Sequence, residues 1–101
     1  MDKKQQLANL IGLSKRAGKV ITGEDLVTKA IQNGRARLIF IASDASSNLF
    51  KKITDKASYY EVTLCQEFSE NELSQAIGQN RKVIAVTDDG FVKKMESLMN
   101  D

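Results

Sequence analysis

Arg37-Leu38-Ile39-Phe40-Ile41-Ala42 and Lys82-Val83-Ile84-Ala85-Val86 are the stretches that decide the fold of this 101-residue chain. Each is a continuous apolar run rich in β-branched residues. Alternating exposure would require a polar residue at every second position, so an unbroken apolar run predicts a strand covered on both faces. Outward from these two strands, the apolar period switches between helical and strand-like. Leu7, Leu10, Ile11, Ser14 and Ala17 share one face of a first helix, which Gly18 stops, and a short strand Lys19-Val20-Ile21 follows. Thr22 is expected to start a second helix with a core face of Leu26, Val27, Ala30 and Ile31, ended by Asn33-Gly34. Ser43-Asp44 lead into a third helix carrying Leu49, Phe50, Ile53 and Ala57, and Glu61-Val62-Thr63-Leu64-Cys65 reads as a strand. Ser69 and Glu72 have capping-box spacing for a fourth helix with Leu73, Ala76 and Ile77. Thr87 or Asp88 caps a fifth helix with Phe91, Val92, Met95, Leu98 and Met99. Four strands alternating with about five helices predict an α/β fold, a three-layer α-β-α sandwich around a central four-stranded sheet, largely parallel or mixed.

Composition bounds the function. Hydrophobic residues make up 42% and charged residues 28%, the balance of a globular protein, and the length predicts one domain over residues 1–101. No window approaches the roughly 18 consecutive apolar residues that a membrane helix needs. Met1-Asp2-Lys3-Lys4-Gln5-Gln6 is polar where an export signal needs an apolar run, and the single cysteine, Cys65, has no partner for an internal disulfide. A cytoplasmic protein is therefore expected. The absence of histidine removes the Ser-His-Asp and Cys-His pairs and the commonest metal ligand. Neither Gly-x4-Gly-Lys-Ser/Thr nor Gly-x-Gly-x-x-Gly occurs. Asp88-Asp89 is a helix start rather than an acid/base couple. No catalytic residue, metal site or cofactor is expected, and nothing in the sequence proposes a reaction.

Charge points elsewhere. Residues 1–37 carry eight cations against three anions, a net +5, whereas the remainder carries seven against ten, a net −3. A basic part of this kind suits an acidic partner, nucleic acid above all. Thr22-Gly23-Glu24-Asp25-Leu26-Val27-Thr28-Lys29 stands in the middle of it, with Lys15, Arg16 and Lys19 before and Arg35 and Arg37 after. Thr22 and Asp25 have capping-box spacing, and Asp25 and Lys29 form an i, i+4 pair on the face opposite the expected core residues.

Gly18-Lys19-Val20-Ile21-Thr22-Gly23, Lys29-Ala30-Ile31-Gln32-Asn33-Gly34, Ala36 through Asp44 and Leu73 through Gly78 together resemble the "L-seven-Ae" ribosomal-protein family of kink-turn RNA binders. The resemblance extends over essentially the whole chain. With Ser58-Tyr59-Tyr60 and Asp88 through Lys94, it is closest to the small bacterial, ribosome-associated members of YlxQ type. It implies an α-β-α sandwich and recognition of a kink-turn, a sharply bent RNA helix with a bulge flanked by sheared G·A pairs. In that family Gly-x-Asn-Glu-x-x-Lys opens the second helix and reads the guanines. Gly23 and Lys29 match its ends, while Asp25 stands for the Asn and Leu26 for the Glu. Asp accepts but cannot donate, and Leu does neither. The loop after the fourth helix, Ile77-Gly78-Gln79-Asn80-Arg81, takes the place of the second contact.

The implied RNA site thus comprises Gly23, Glu24, Asp25 and Lys29, that loop, and the cations Lys15, Arg16, Lys19 and Arg37. The partner expected is ribosomal or other kink-turn RNA, with the ribosome as the setting and the protein a monomer. The alternative is a protein-interaction module on the same fold that has lost base recognition and uses Glu61, Glu67, Glu70 and Glu72.

Overall fold

The computed structural model describes residues 2–100. Its elements run α1 (Lys3–Arg16), β1 (Val20–Thr22), α2 (Glu24–Gln32), β2 (Leu38–Ile41), α3 (Ser47–Tyr59), β3 (Thr63–Cys65), α4 (Glu70–Ile77), β4 (Val83–Val86) and α5 (Asp89–Met99). The strands form one mixed sheet in the order β1-β4-β2-β3. β4 is antiparallel to both neighbours, with Val20 and Leu38 each paired to Val86, and β3 runs parallel to β2. Every residue of β2 and β4 is buried, as their unbroken apolar runs predict.

Side chains alternate across the sheet and so feed two cores. Leu38, Phe40, Ile84 and Val86 meet Leu7 and Ile11 of α1, Leu73 and Ile77 of α4, and Val92 and Met95 of α5. Ile39, Ile41, Val83 and Ala85 meet Val27, Ala30 and Ile31 of α2 and Ile53 and Ala57 of α3. This is the α-β-α sandwich. Gly12 lets α1 approach α4, since a Cβ there would lie 3.0 Å from the Ala76 carbonyl oxygen. Ser14, fully buried on α1, donates its hydroxyl to the Leu10 carbonyl and leaves no orphaned donor.

Four helices carry side-chain N-caps: Asp2, Ser46, Ser69 and Asp88. The capping box of α4 forms as predicted, with Ser69 N–H donating to Glu72 and Glu72 N–H to Ser69. Two expectations are corrected. Thr22 does not cap α2, because it is still the last residue of β1, and Gly23 occupies the cap without a side-chain bond. Leu26 is no core residue: it is 58% exposed, one position out of phase with Val27, Ala30 and Ile31. Ser43-Asp44 do lead into α3, whose N-cap is Ser46: Ala45 turns back onto the Ala42 carbonyl, and Asp44 accepts from Glu70 N–H.

Two tests follow from the caps. Glu61, immediately after α3, holds φ at 58°, where glycine is the usual residue. Left-handed backbone costs an L-residue about 1–2 kcal/mol, and the extra freedom of unfolded glycine offsets part of the relief. Glu61→Gly should therefore raise Tm by a few degrees in a thermal melt. Ser69 N–H and the Lys4 ammonium hold the Glu72 carboxyl below its ordinary pKa. A depressed folded pKa stabilises above the unfolded value, and that contribution is lost as pH falls through the folded one. Denaturant titrations from pH 7 to pH 2 should show Glu72→Gln less stable than the parent at neutral pH, with the gap closing in acid.

Candidate nucleic-acid interface

Sheet register sorts the implied site residues to two ends. At one end Gly23 N–H donates to the Val83 carbonyl at 3.1 Å, and Ala42 N–H donates to Lys82 at 2.8 Å. The turn from β1 into α2 and the loop entering β4 are thereby side by side. At the other end Thr87 N–H donates to Lys19 and Arg37 N–H to Val86, both at 2.9 Å. Lys15 and Arg16 finish α1 at that second end, since Lys19 N–H bonds back to Ser14. Lys19 and Gly23 are four strand residues apart, roughly 13 Å.

At the Gly23 end, the glycine adopts φ 92°, ψ 153°, a conformation closed to ordinary L-residues. Gly23 leads the chain from β1 straight into α2 with no side chain over the helix start. No side chain caps the first-turn amides, and α2 is the one helix of the described residues so arranged. Exposed first-turn amides at the positive end of a helix dipole form a natural anion site.

Arg81 completes this end. Its backbone N–H donates to Ser74 Oγ at 3.1 Å, which fixes the loop on α4. Its Nε donates to Thr22 Oγ1 at 3.2 Å, and Nη1 donates to the Asn80 carbonyl at 2.7 Å. These bonds hold a half-buried guanidinium beside Gly23 with N–H donors left over for a ligand. Gly23, Glu24, Asn80, Arg81 and Lys82 line a shallow cleft of ≈ 320 Å³ together with the starts of α3 and α4. Glu24 is neutralised by Lys52 of α3 at 2.6 Å, and its carboxylate raises the Lys52 pKa.

The exposed stripe of α2 holds Asp25, Leu26 and Lys29. No ion pair joins Asp25 to Lys29 among the described residues. Lys29 lies six residues beyond Gly23, about 9 Å along the helix. In the second loop, Gly78 is the left-handed C-cap of α4, Gln79 and Asn80 are exposed, and Ile77 is buried in the core. The structure therefore brings Gly23, Glu24, Asn80 and Arg81 together, and leaves Lys15, Arg16, Lys19 and Arg37 at the far end. Sequence reading missed Lys52, Lys82 and the Thr22–Arg81 contact. The last joins residues 59 apart, and no local pattern encodes it.

A wider groove of ≈ 760 Å³ lies between α1 and α4 on the opposite face of the sheet and includes Leu13, Arg16 and Gln75. Cys65 is buried, which pushes its thiol pKa up and leaves it a poor nucleophile. No group of acidic or thiol side chains suited to a metal occurs among the described residues, and no helix among them is long and apolar enough to cross a membrane.

Residues 5–96 match the model of the Ribosomal protein L7Ae/L30e/S12e/Gadd45 family. The chain belongs to that family. It is 51% identical over 96 residues to RNA-binding protein YlxQ of Enterococcus faecium, covering 95% of this chain and 93% of that protein. It is 50% identical over 92 residues to RNA-binding protein YlxQ of Bacillus subtilis (strain 168), covering 90% and 92%. Among solved structures, a Bacillus halodurans C protein of unknown function superposes with TM-score 0.90 at 37% identity, covering 95% of this chain and 98% of that one. The Giardia lamblia 15.5kD RNA binding protein shares the fold, with TM-score 0.83 at 19% identity over 97% of this chain and 85% of its own. Family membership and the YlxQ-type resemblance are thus established for this chain.

Exposure of Leu26 makes a sharp stability test. A surface substitution with no buried partner changes stability by about 0.5 kcal/mol or less, whereas burying a carboxylate would cost several times more. Leu26→Glu should melt within about 3 °C of the parent in a calorimetric scan, against a drop of well over 5 °C for a core leucine.

Proposed function

We propose that this chain is a non-enzymatic RNA-binding protein that takes a kink-turn, or a similarly bent element of ribosomal RNA, at the Gly23 end of its sheet. The observation that carries the reading is the uncapped start of α2 set beside a guanidinium anchored through Thr22. Family membership supports it, as do the RNA-binding names of relatives 50% and 51% identical to this chain. In this reading the first-turn amides and Arg81 hold the phosphates at the bend. Asp25 and Lys29 face the bases, and Gln79 and Asn80 meet the extruded nucleotide. RNA of this shape is recognised through its backbone and splayed bases rather than in a regular groove. The setting proposed is the cytoplasmic ribosome, with the protein acting as a monomer over one domain.

Asp25 and Leu26 alter the readout. An aspartate accepts a guanine N–H but returns no donor, and Leu26 offers only an apolar surface. Backbone affinity is retained, and discrimination among base pairs at the bend is weaker than an Asn-Glu pair would give.

The test is a titration of a kink-turn RNA against the same RNA with its G·A pairs substituted, at two salt concentrations. Preference for the intact motif is expected. Arg81→Ala should weaken binding about tenfold or more and lower Tm by a few degrees, since it also removes the bonds to Thr22 and Asn80, whereas Lys29→Ala should weaken binding several-fold with little change in Tm. Asp25→Asn combined with Leu26→Glu should increase the preference. Equal salt-sensitive binding to both RNAs would reduce the reading to a basic scaffold. Absence of binding to either would favour the protein-interaction module.

A further inference from the structure

The far end of the sheet carries features that the kink-turn reading does not use. Pairing of Val20 and Leu38 with Val86, and of Leu38 with Thr63, sets these residues in one row across the sheet. The next row outward is Lys19, Thr87, Arg37 and Val62. Lys19 and Arg37 therefore flank β4 at two strand spacings, roughly 10 Å apart. Arg35 adjoins Arg37 through the turn that ends α2, its N–H held by the Ala30 carbonyl. α3 ends at the same edge, because its Ala57 carbonyl accepts from Val62 N–H. There Tyr59 and Tyr60 form an edge-to-face pair with centroids 4.9 Å apart, and Tyr59 is 80% exposed.

Helix dipoles explain part of this end only. Lys15, Arg16 and Lys56 stand in last turns, where a cation is favourable. Lys19 and Arg35 come just after the ends of α1 and α2, with N–H groups bonded back to Ser14 and Ala30, whereas Arg37 lies beyond either last turn and the dipoles do not account for it. Among the described residues, the acids next to these strand ends are Glu61, Asp88 and Asp89. Asp88 is committed to capping α5, and Asp89 meets Arg37 at 3.4 Å in an exposed pair that a phosphate can displace. Lys19 and Arg35 enter no ion pair among the described residues.

We propose that this end is a second RNA surface, which takes single-stranded RNA: Lys19, Arg35 and Arg37 hold phosphates, and the exposed ring of Tyr59 stacks on a base. Cations along a backbone track beside an open aromatic face are the two components of sequence-tolerant single-strand binding. A duplex would satisfy the cations but offers the ring no base face. The surface is separate from the α2 site, so one molecule engages a bent element and a neighbouring unpaired strand.

The chain has only two tyrosines, both here, so fluorotyrosine labels report this end alone. The probe is a 12-nucleotide oligouridylate, which forms neither kink nor duplex. On titration, the Tyr59 fluorine resonance should shift. Tyr59→Ala should weaken binding about fivefold or more while Tyr59→Phe keeps it, since stacking needs the ring and not the hydroxyl. Lys19→Ala with Arg35→Ala should lower the slope of log K against log salt by about 1.4, at roughly 0.7 for each phosphate of a single strand that is no longer neutralised. Tyr59→Ala should leave the ratio of kink-turn to substituted RNA unchanged. Resonances that stay put at saturation, no binding of the oligouridylate, or equal affinities for parent and variants would each overturn the proposal. Loss of kink-turn preference with the tyrosine shift intact would overturn the α2 reading and leave this surface standing.

Discussion

Antiparallel pairing of β4 between β1 and β2 is the constraint on which the rest of the molecule depends. Val83–Val86 is buried on both faces and hydrogen-bonded on both edges, so it cannot slip by a residue without turning apolar side chains into the wrong core. That register carries Arg81, two residues before the strand, to the side of Gly23, 58 positions earlier in sequence. It also sets Thr87, one residue after the strand, between Lys19 and Arg37. Both candidate surfaces are consequences of where a four-residue strand begins and ends.

Chain direction then divides the electrostatics. β1 and β2 run the same way, and α2 and α3 return antiparallel to them, so both of these helices start at the Gly23 end. Glu24, Asp25 and Glu70 lie in first turns there, and Lys15, Arg16 and Lys56 in last turns elsewhere, as the dipoles favour. The Gly23 end thus mixes first-turn acids with Arg81, Lys82 and Lys52 in its side chains, over a backbone that is positive where the helices start. Attraction for a phosphate comes from open amides and from Arg81, with Glu24 neutralised by Lys52. The basic excess of residues 1–37 gathers instead where helices end. Sequence charge alone, which joins these cations to the segment around Gly23, reports their proximity along the chain and misses the strand that separates them.

The fold was legible because two apolar runs, several caps and the helical period of α3, α4 and α5 all pointed the same way. Strand order was not, since pairing between distant strands leaves no local trace. At the site the failures are specific. Thr22 has the spacing of a capping residue, yet the antiparallel partner Ile84 keeps it in β1, and tertiary pairing overrode the local signal. Leu26 reads as core in the sequence because it is apolar and neighbours Val27. A helix advances 100° per residue, and the buried stripe of Val27, Ala30 and Ile31 leaves Leu26 at its solvent edge. Ile77 shares a short segment with Gly78 and Arg81, yet as the last residue of α4 it turns inward. Charged residues were easy to find as candidates. Which of them act together was a question of register.

Short strands give the two-ended arrangement its meaning. With strands of three or four residues, the sheet separates the Gly23 turn from the Lys19 turn by roughly 13 Å, well under the 33 Å long axis of the molecule. In this reading a single RNA that folds back on itself spans both ends without the protein deforming, since the backbone of each end is hydrogen-bonded to the buried strand β4 or the residue that follows it. The entropy of association is then lost once for two sets of contacts, so the second engagement is intramolecular, at high effective concentration. The weak base discrimination proposed for Asp25 and Leu26 is compatible with selective binding on these terms. If both proposed surfaces act together, selectivity would arise from the joint presence of a bend and an unpaired strand at the right separation, a property of RNA shape that neither surface reads alone.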